Sequence, residues 1–279
     1  MTVAPVPDGF SMGRVISRLF GVLSRNVLLL LLLSAVLVGL PTGVFGYLQL
    51  GAMTPLVGAA PADPAGLVGS FFSPLRIGIG AAAWLAGIIG NAVLQGAVIH
   101  ATVSDLSGRR PTFGECVGTG FRFFLPLVVI GLIFGVCFVF GLIIFIVPGV
   151  LLALAWCVAA PAEVMERTGI FGSFSRSADL TRNNRAVIFV LALALVFAQW
   201  VLQTVISGVL GVGIGASAGA TPGLANGALQ SFFVVQTVIN LVMATLFASI
   251  GQAGIASVYF ELRQAKEGIG VDQLAAVFD

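Results

Sequence analysis

Three pairs of amide side chains are spaced to act together in an otherwise apolar chain: Asn91 and Gln95, Gln199 and Gln203, and Gln236 and Asn240. A separation of four residues puts each pair on one face of a helix. An amide in hydrocarbon needs a partner, so the six groups are expected to face one another inside a bundle. There they would act as glue between helices or, as the alternative, line a path for a polar solute. Other candidates for chemistry are sparse. His100 is the single histidine; it could relay a proton, but a lone imidazole near a helix end reads as a hydrogen-bonded structural group. Glu163 and Glu166 could form a carboxylate pair, yet Arg167 and Arg176 stand close in sequence and favour salt bridges that tie a loop to a helix end. Cys116, Cys137 and Cys157 are an odd number without CxxC spacing, which speaks against a disulfide framework or a zinc site. No nucleophile is accompanied by a base, and we expect no catalytic, cofactor or metal site.

These residues sit in a chain of 279 residues that is 58% hydrophobic and 9% charged, with mean hydropathy +1.11. A soluble domain carries about 25% charged residues. So few charges cannot solubilise a globule of this size, and the sequence predicts one membrane-embedded domain over 1–279. A spanning helix needs about 20 apolar residues, and six runs qualify: 27–48, 77–103, 123–146, 149–165, 187–212 and 231–258. The stretch 123–162 holds no charged residue and is too long for one span. Pro148-Gly149 supplies a turn that folds it into a tight hairpin. The apolar run from Val27 exceeds the roughly 7–15 residues of a signal-peptide core, so it is read as a retained first span.

Charge supplies the orientation. Arg14, Arg18 and Arg25 precede the first span; Arg109, Arg110 and Arg122 lie between the second and third; Arg167, Arg176, Arg182 and Arg185 lie between the fourth and fifth. Arg263 and Lys266 follow the sixth, and only Arg76 falls on the other side. Because cytoplasmic loops retain Lys and Arg, both termini are expected in the cytoplasm. A net charge of +2 without a free basic stripe argues against nucleic acid. Membrane lipids, a membrane protein partner or a second copy are the expected partners.

Apolar stripes precede the odd-numbered spans. Met12, Val15, Ile16, Leu19 and Leu23 recur at helical spacing with Arg14, Arg18 and Arg25 off the stripe, as in a helix lying in the headgroup plane. Thr112 and Glu115 form a capping-box pattern ahead of Phe113, Cys116, Val117 and Phe121. Phe171, Phe174 and Ala178 oppose Arg176 and Asp179 before the fifth span. The expected architecture is therefore an all-α membrane protein, with six transmembrane helices as three hairpins, each preceded by a cytoplasmic-face amphipathic helix. Gly131 with Gly135, and Gly211, Gly215 and Gly219, are spaced for close helix approach, within the chain or between copies.

From the second hairpin onward the chain resembles the glycerophosphoryl diester phosphodiesterase membrane domain family of bacterial integral membrane proteins. The resembling residues are Val147-Pro148-Gly149, Trp156, Pro161 and Glu166, then Ser175-Arg176-Ser177-Ala178-Asp179-Leu180 with Asn183-Asn184, and Tyr259-Phe260-Glu261-Leu262-Arg263 with Lys266-Glu267-Gly268. Gly108-Arg109-Arg110-Pro111 extends the likeness. The resemblance implies relatives fused to a phosphodiesterase domain, for which this chain has neither the room nor, with one histidine, the metal ligands. The functional expectation is a non-enzymatic accessory or scaffold protein of the bacterial envelope, with a transporter or channel for a small or lipid-like solute as the alternative.

Overall fold

The computed structural model describes residues 10–57, 72–106, 108–220 and 225–268. Among them the regular elements are helices: α1 (Met12–Ser34), a π-helical turn (Ala35–Gly39), α2 (Leu40–Val57), α3 (Pro74–Leu106), α4 (Phe113–Arg122) and α5 (Phe124–Ile144). They continue with α6 (Ile146–Trp156), α7 (Ala159–Glu166), α8 (Ile170–Thr181), α9 (Arg185–Ala220) and α10 (Ala225–Glu267). Six stretches are long and apolar enough to cross a bilayer: Met12–Gln49, Pro74–Leu106, Phe124–Ile144, Ile146–Glu166, Arg185–Val209 and Val234–Glu267. Their surfaces carry large exposed apolar side chains, among them Leu28, Leu125, Ile143 and Trp200. A soluble protein rarely exposes so continuous an apolar surface, whereas a bilayer covers it.

The chain divides into two compact units, the first made of Met1–Ser34, Asn91–Leu195 and Ala248–Asp279, the second of Ala35–Gly90 and Val196–Phe247. In the first, α1 breaks at Asn26, whose backbone leaves the helical region (φ −121°, ψ 24°). The break separates the amphipathic segment from the span that follows. Of the apolar stripe of that segment, Val15 and Leu19 are buried in the protein, whereas Met12, Ile16 and Leu23 are half-buried. Val15 packs into a core with Ile99, Phe123, Val158 and Ala256.

The hairpin between the third and fourth spans turns on one extended residue, Phe145 (φ −159°, ψ 143°). The turn therefore precedes Pro148-Gly149, where the sequence placed it. Pro148 is the third residue of α6, where a missing N–H removes no intrahelical bond. Gly149 instead permits the tight packing: a Cβ added at Gly141 would stand 2.8 Å from its Cα.

The fourth span is interrupted between α6 and α7 at Cys157 and Val158. Pro161 cannot donate back across this break, and α8 supplies the missing partners. Ser177 Oγ donates to the Ala155 carbonyl (2.8 Å) and accepts from Val158 N (3.2 Å), while Thr181 Oγ1 donates to the same carbonyl (3.3 Å). All are buried, so Ser177→Ala leaves the Val158 N–H without its acceptor and the Ala155 carbonyl with Thr181 alone, and is expected to lower stability by about 1–3 kcal/mol. Thermal denaturation in detergent measures this, with exposed Ser175→Ala as the unaffected comparison.

The capping box at α4 forms: Thr112 Oγ1 accepts from Glu115 N (3.4 Å), and Glu115 Oε2 accepts from Thr112 N (3.1 Å). Its bonds to Thr112 hold the Glu115 carboxyl below the usual carboxylate range. On the buried face of α4, burial pushes the Cys116 thiol up to about 12. In the second unit, close contacts rest on small residues. A Cβ at Gly90 would collide with the Leu37 carbonyl, and one at Gly46 would stand 3.2 Å from Thr237 Cγ2.

Candidate functional site

Charged groups from span ends far apart in sequence meet in the first unit. Glu261, on α10 and only 1% exposed, accepts from Arg14 Nε (2.6 Å) and lies 3.3 Å from Arg18 Nη1. Arg18 also bonds Gln264. This ties the first amphipathic segment to the last span. Glu166, at the end of the fourth span, accepts from Arg176 Nε (2.7 Å) and from the Tyr259 hydroxyl (2.7 Å). Arg263 donates to Tyr259 Oη (3.2 Å) and to Glu267 (3.0 Å), and Arg176 bridges to Glu267. Lys266 donates to the Asp179 carbonyl. The Glu166–Arg176 bridge anticipated from sequence is therefore present. Glu163 pairs otherwise: its carboxylate is buried and accepts from Ser173 Oγ (2.7 Å). Arg167, in the left-handed region at φ 50°, places its guanidinium 5.8 Å from the Phe123 ring centre.

A second polar feature joins the start of the first span to the end of the second. Arg25 donates to Asp105 through Nη2 (2.6 Å) and Nε (3.1 Å), and Asn26 Nδ2 donates to the same carboxylate (2.6 Å). Arg25, Asn26, Leu28, Asp105, Arg109 and Arg110 help to line an adjacent cavity of about 760 Å³.

The six amides divide between the units. In the second, Gln203 Nε2 donates to Asn240 Oδ1 (3.1 Å) and Gln236 Nε2 to Ser207 Oγ (3.2 Å), so α9 and α10 are joined twice. Ser207 was not singled out in the sequence, although it continues the Gln199–Gln203 spacing by one more turn. Gln199 is exposed, and Gln236 Oε1 is buried without a hydrogen bond. In the first unit, Asn91 is exposed and Gln95 half-buried on α3. The first unit has its own hydroxyl pair, also missed: Ser34 Oγ lies 2.6 Å from Ser249 Oγ, and both bond the Leu30 carbonyl (2.9 and 3.2 Å).

His100 is half-buried on α3. Among the described residues no group of three His, Cys, Asp or Glu could hold a metal ion. Gly215-Ala216-Ser217-Ala218-Gly219 fits the letters of a G-x-S-x-G elbow, but it lies within continuous helix α9, whereas an elbow requires a strand-to-helix turn. Gly131 and Gly135 have open space beside them. The environments of Gly211, Gly215 and Gly219 lie outside the described residues. Close helix approach occurs instead at Gly90, Gly120, Gly141 and Gly149.

Six apolar spans, lipid-suited surfaces and polar ends define a polytopic α-helical membrane protein. The chain belongs to the uncharacterised protein family UPF0259, whose model matches residues 76–215. This corrects the resemblance to the glycerophosphoryl diester phosphodiesterase membrane domain family, because the family that matches is a different one. The short motifs behind that resemblance mark membrane boundaries, which unrelated polytopic proteins share. A UPF0259 membrane protein of Pectobacterium carotovorum subsp. carotovorum (strain PC1) is 30% identical over 104 residues, covering 37% of this chain and 42% of that one. A UPF0259 membrane protein of Yersinia pestis (strain Pestoides F) is 30% identical over 110 residues, 39% of this chain and 43% of its own. The matched part thus spans less than half of these relatives. No solved structure matches.

Proposed function

We propose that this membrane protein is a non-enzymatic accessory or scaffold component of the bacterial envelope, held in the cytoplasmic membrane with both termini inside. The observation that carries this reading is how its polar groups are used. Glu166, Arg176, Tyr259, Arg263 and Glu267 bind one another, and Gln203, Asn240, Gln236 and Ser207 join neighbouring helices. Groups engaged in this way hold helices in register and leave few donors for a substrate. The one-sided distribution of Lys and Arg supports the orientation. Membrane lipids and either a membrane protein partner or a second copy are the partners that fit.

Transport is the rival function, and the amides separate the two. Gln203→Leu strands Asn240, and a membrane hydrogen bond is worth about 0.6 kcal/mol on average. Under the accessory reading Gln203→Leu lowers the melting temperature in detergent, adding Asn240→Leu restores part of it, and complementation of a deletion strain follows the amount of folded protein. Unchanged melting with lost complementation would overturn this reading in favour of a solute path.

A further inference from the structure

The break at Asn26 leaves a cavity beside the start of the first span, and its wall combines two chemistries. Three arginines, Arg25, Arg109 and Arg110, line it with a single aspartate, Asp105, which Arg25 and Asn26 already hold. The wall therefore carries net positive charge. Next to these groups stand Val27 and Leu28, 45% and 82% exposed, on the apolar span itself. Guanidinium groups bind phosphate oxygens through paired N–H donors. Exposed aliphatic side chains at the start of a span suit hydrocarbon. The volume of about 760 Å³ falls within the roughly 300–1,000 Å³ of small-molecule sites.

We infer that this cavity holds the headgroup phosphate of one anionic phospholipid, with an acyl chain lying along Val27 and Leu28. Arg109 and Arg110 supply the phosphate contacts, and the Arg25–Asp105–Asn26 cluster holds the wall in place. The site is independent of the accessory reading, since a transporter could hold the same lipid.

Native mass spectrometry of the full-length protein in detergent micelles tests the assignment, using phosphatidylglycerol, phosphatidylcholine with the same chains, and inorganic phosphate. The wild type should retain one phosphatidylglycerol in preference to phosphatidylcholine. Each arginine near an anionic headgroup contributes about fivefold, so R109Q/R110Q should weaken phosphatidylglycerol binding roughly thirtyfold. The exposed pair R122Q/R182Q, which removes the same charge elsewhere, should leave it unchanged. Equal retention of the two lipids by the wild type overturns the inference without need of any variant. So does an equal loss in R122Q/R182Q, which would reduce the effect to net charge, and so does inorganic phosphate competing as well as the lipid, which would make the ligand a soluble anion.

Discussion

Replacing Glu166 with alanine should destabilise the protein by about 2–4 kcal/mol, below the 3–5 kcal/mol for breaking a fully buried ion pair because Glu166 and Arg176 are partly exposed. The loss exceeds that of one salt bridge because the carboxylate serves two groups. Arg176 loses its partner on α7, and the buried Tyr259 hydroxyl loses its acceptor. Glu166→Gln keeps a carbonyl for the tyrosine and should cost visibly less. Thermal or denaturant unfolding in detergent resolves the two variants. A change within about 0.5 kcal/mol for Glu166→Ala, the range of an ordinary surface substitution, would mean that these helix ends are not tied through this residue.

The second large effect is steric. A Cβ at Gly120 would collide with the Val93 carbonyl, and one at Gly96 would stand 2.9 Å from the Gly120 Cα. Helices α3 and α4 therefore cross nearly backbone to backbone, so Gly120→Val is expected to cost about 1–3 kcal/mol or more through overpacking. Gly131 has nothing within 4 Å of an added Cβ. Gly131→Ala should be neutral or stabilising by about 0.5–1 kcal/mol, because alanine loses less entropy in a helix. The two unfolding curves should move in opposite directions or differ sharply in size. Equal shifts would place the crossing elsewhere.

The contrast between Gly120 and Gly131 shows where the sequence was legible. Apolar runs are a local property, and they located all six spans, the four middle ones to within about three residues at each end, whereas the first helix begins at Met12 and the last runs on to Glu267. The Thr112–Glu115 box and the Glu166–Arg176 bridge were also readable, since their partners lie three and ten residues apart. A glycine's neighbour in space has no such local mark. The Gly131–Gly135 spacing drew attention, whereas the close crossing falls at Gly96 and Gly120, which share no motif. The same holds for Ser34 with Ser249 and Arg14 with Glu261, 215 and 247 residues apart. Ser177 and Thr181 were hidden for another reason: their hydroxyls compensate a helix break at Cys157 and Val158 that the apolar run conceals. The amides were partly legible. Gln203 and Asn240 meet, while Gln199 stays exposed, because the i, i+4 rule gives a shared face without saying which end of it meets the next helix.

The topology is tested most directly by labelling single cysteines, in a background without Cys116, Cys137 and Cys157, with a membrane-impermeant thiol reagent on intact cells. Thr112 and Gln264 are exposed positions beside the spans' positively charged ends, and Phe72 is an exposed position before the second span. Twelve of the thirteen Lys and Arg lie on one side of the six spans, the cytoplasmic side in the proposed orientation, so cysteines at 112 and 264 should stay unlabelled until the cells are opened, while one at 72 should react at once. Labelling of position 112 or 264 from outside, with position 72 protected, would contradict the six-span arrangement with both termini in the cytoplasm.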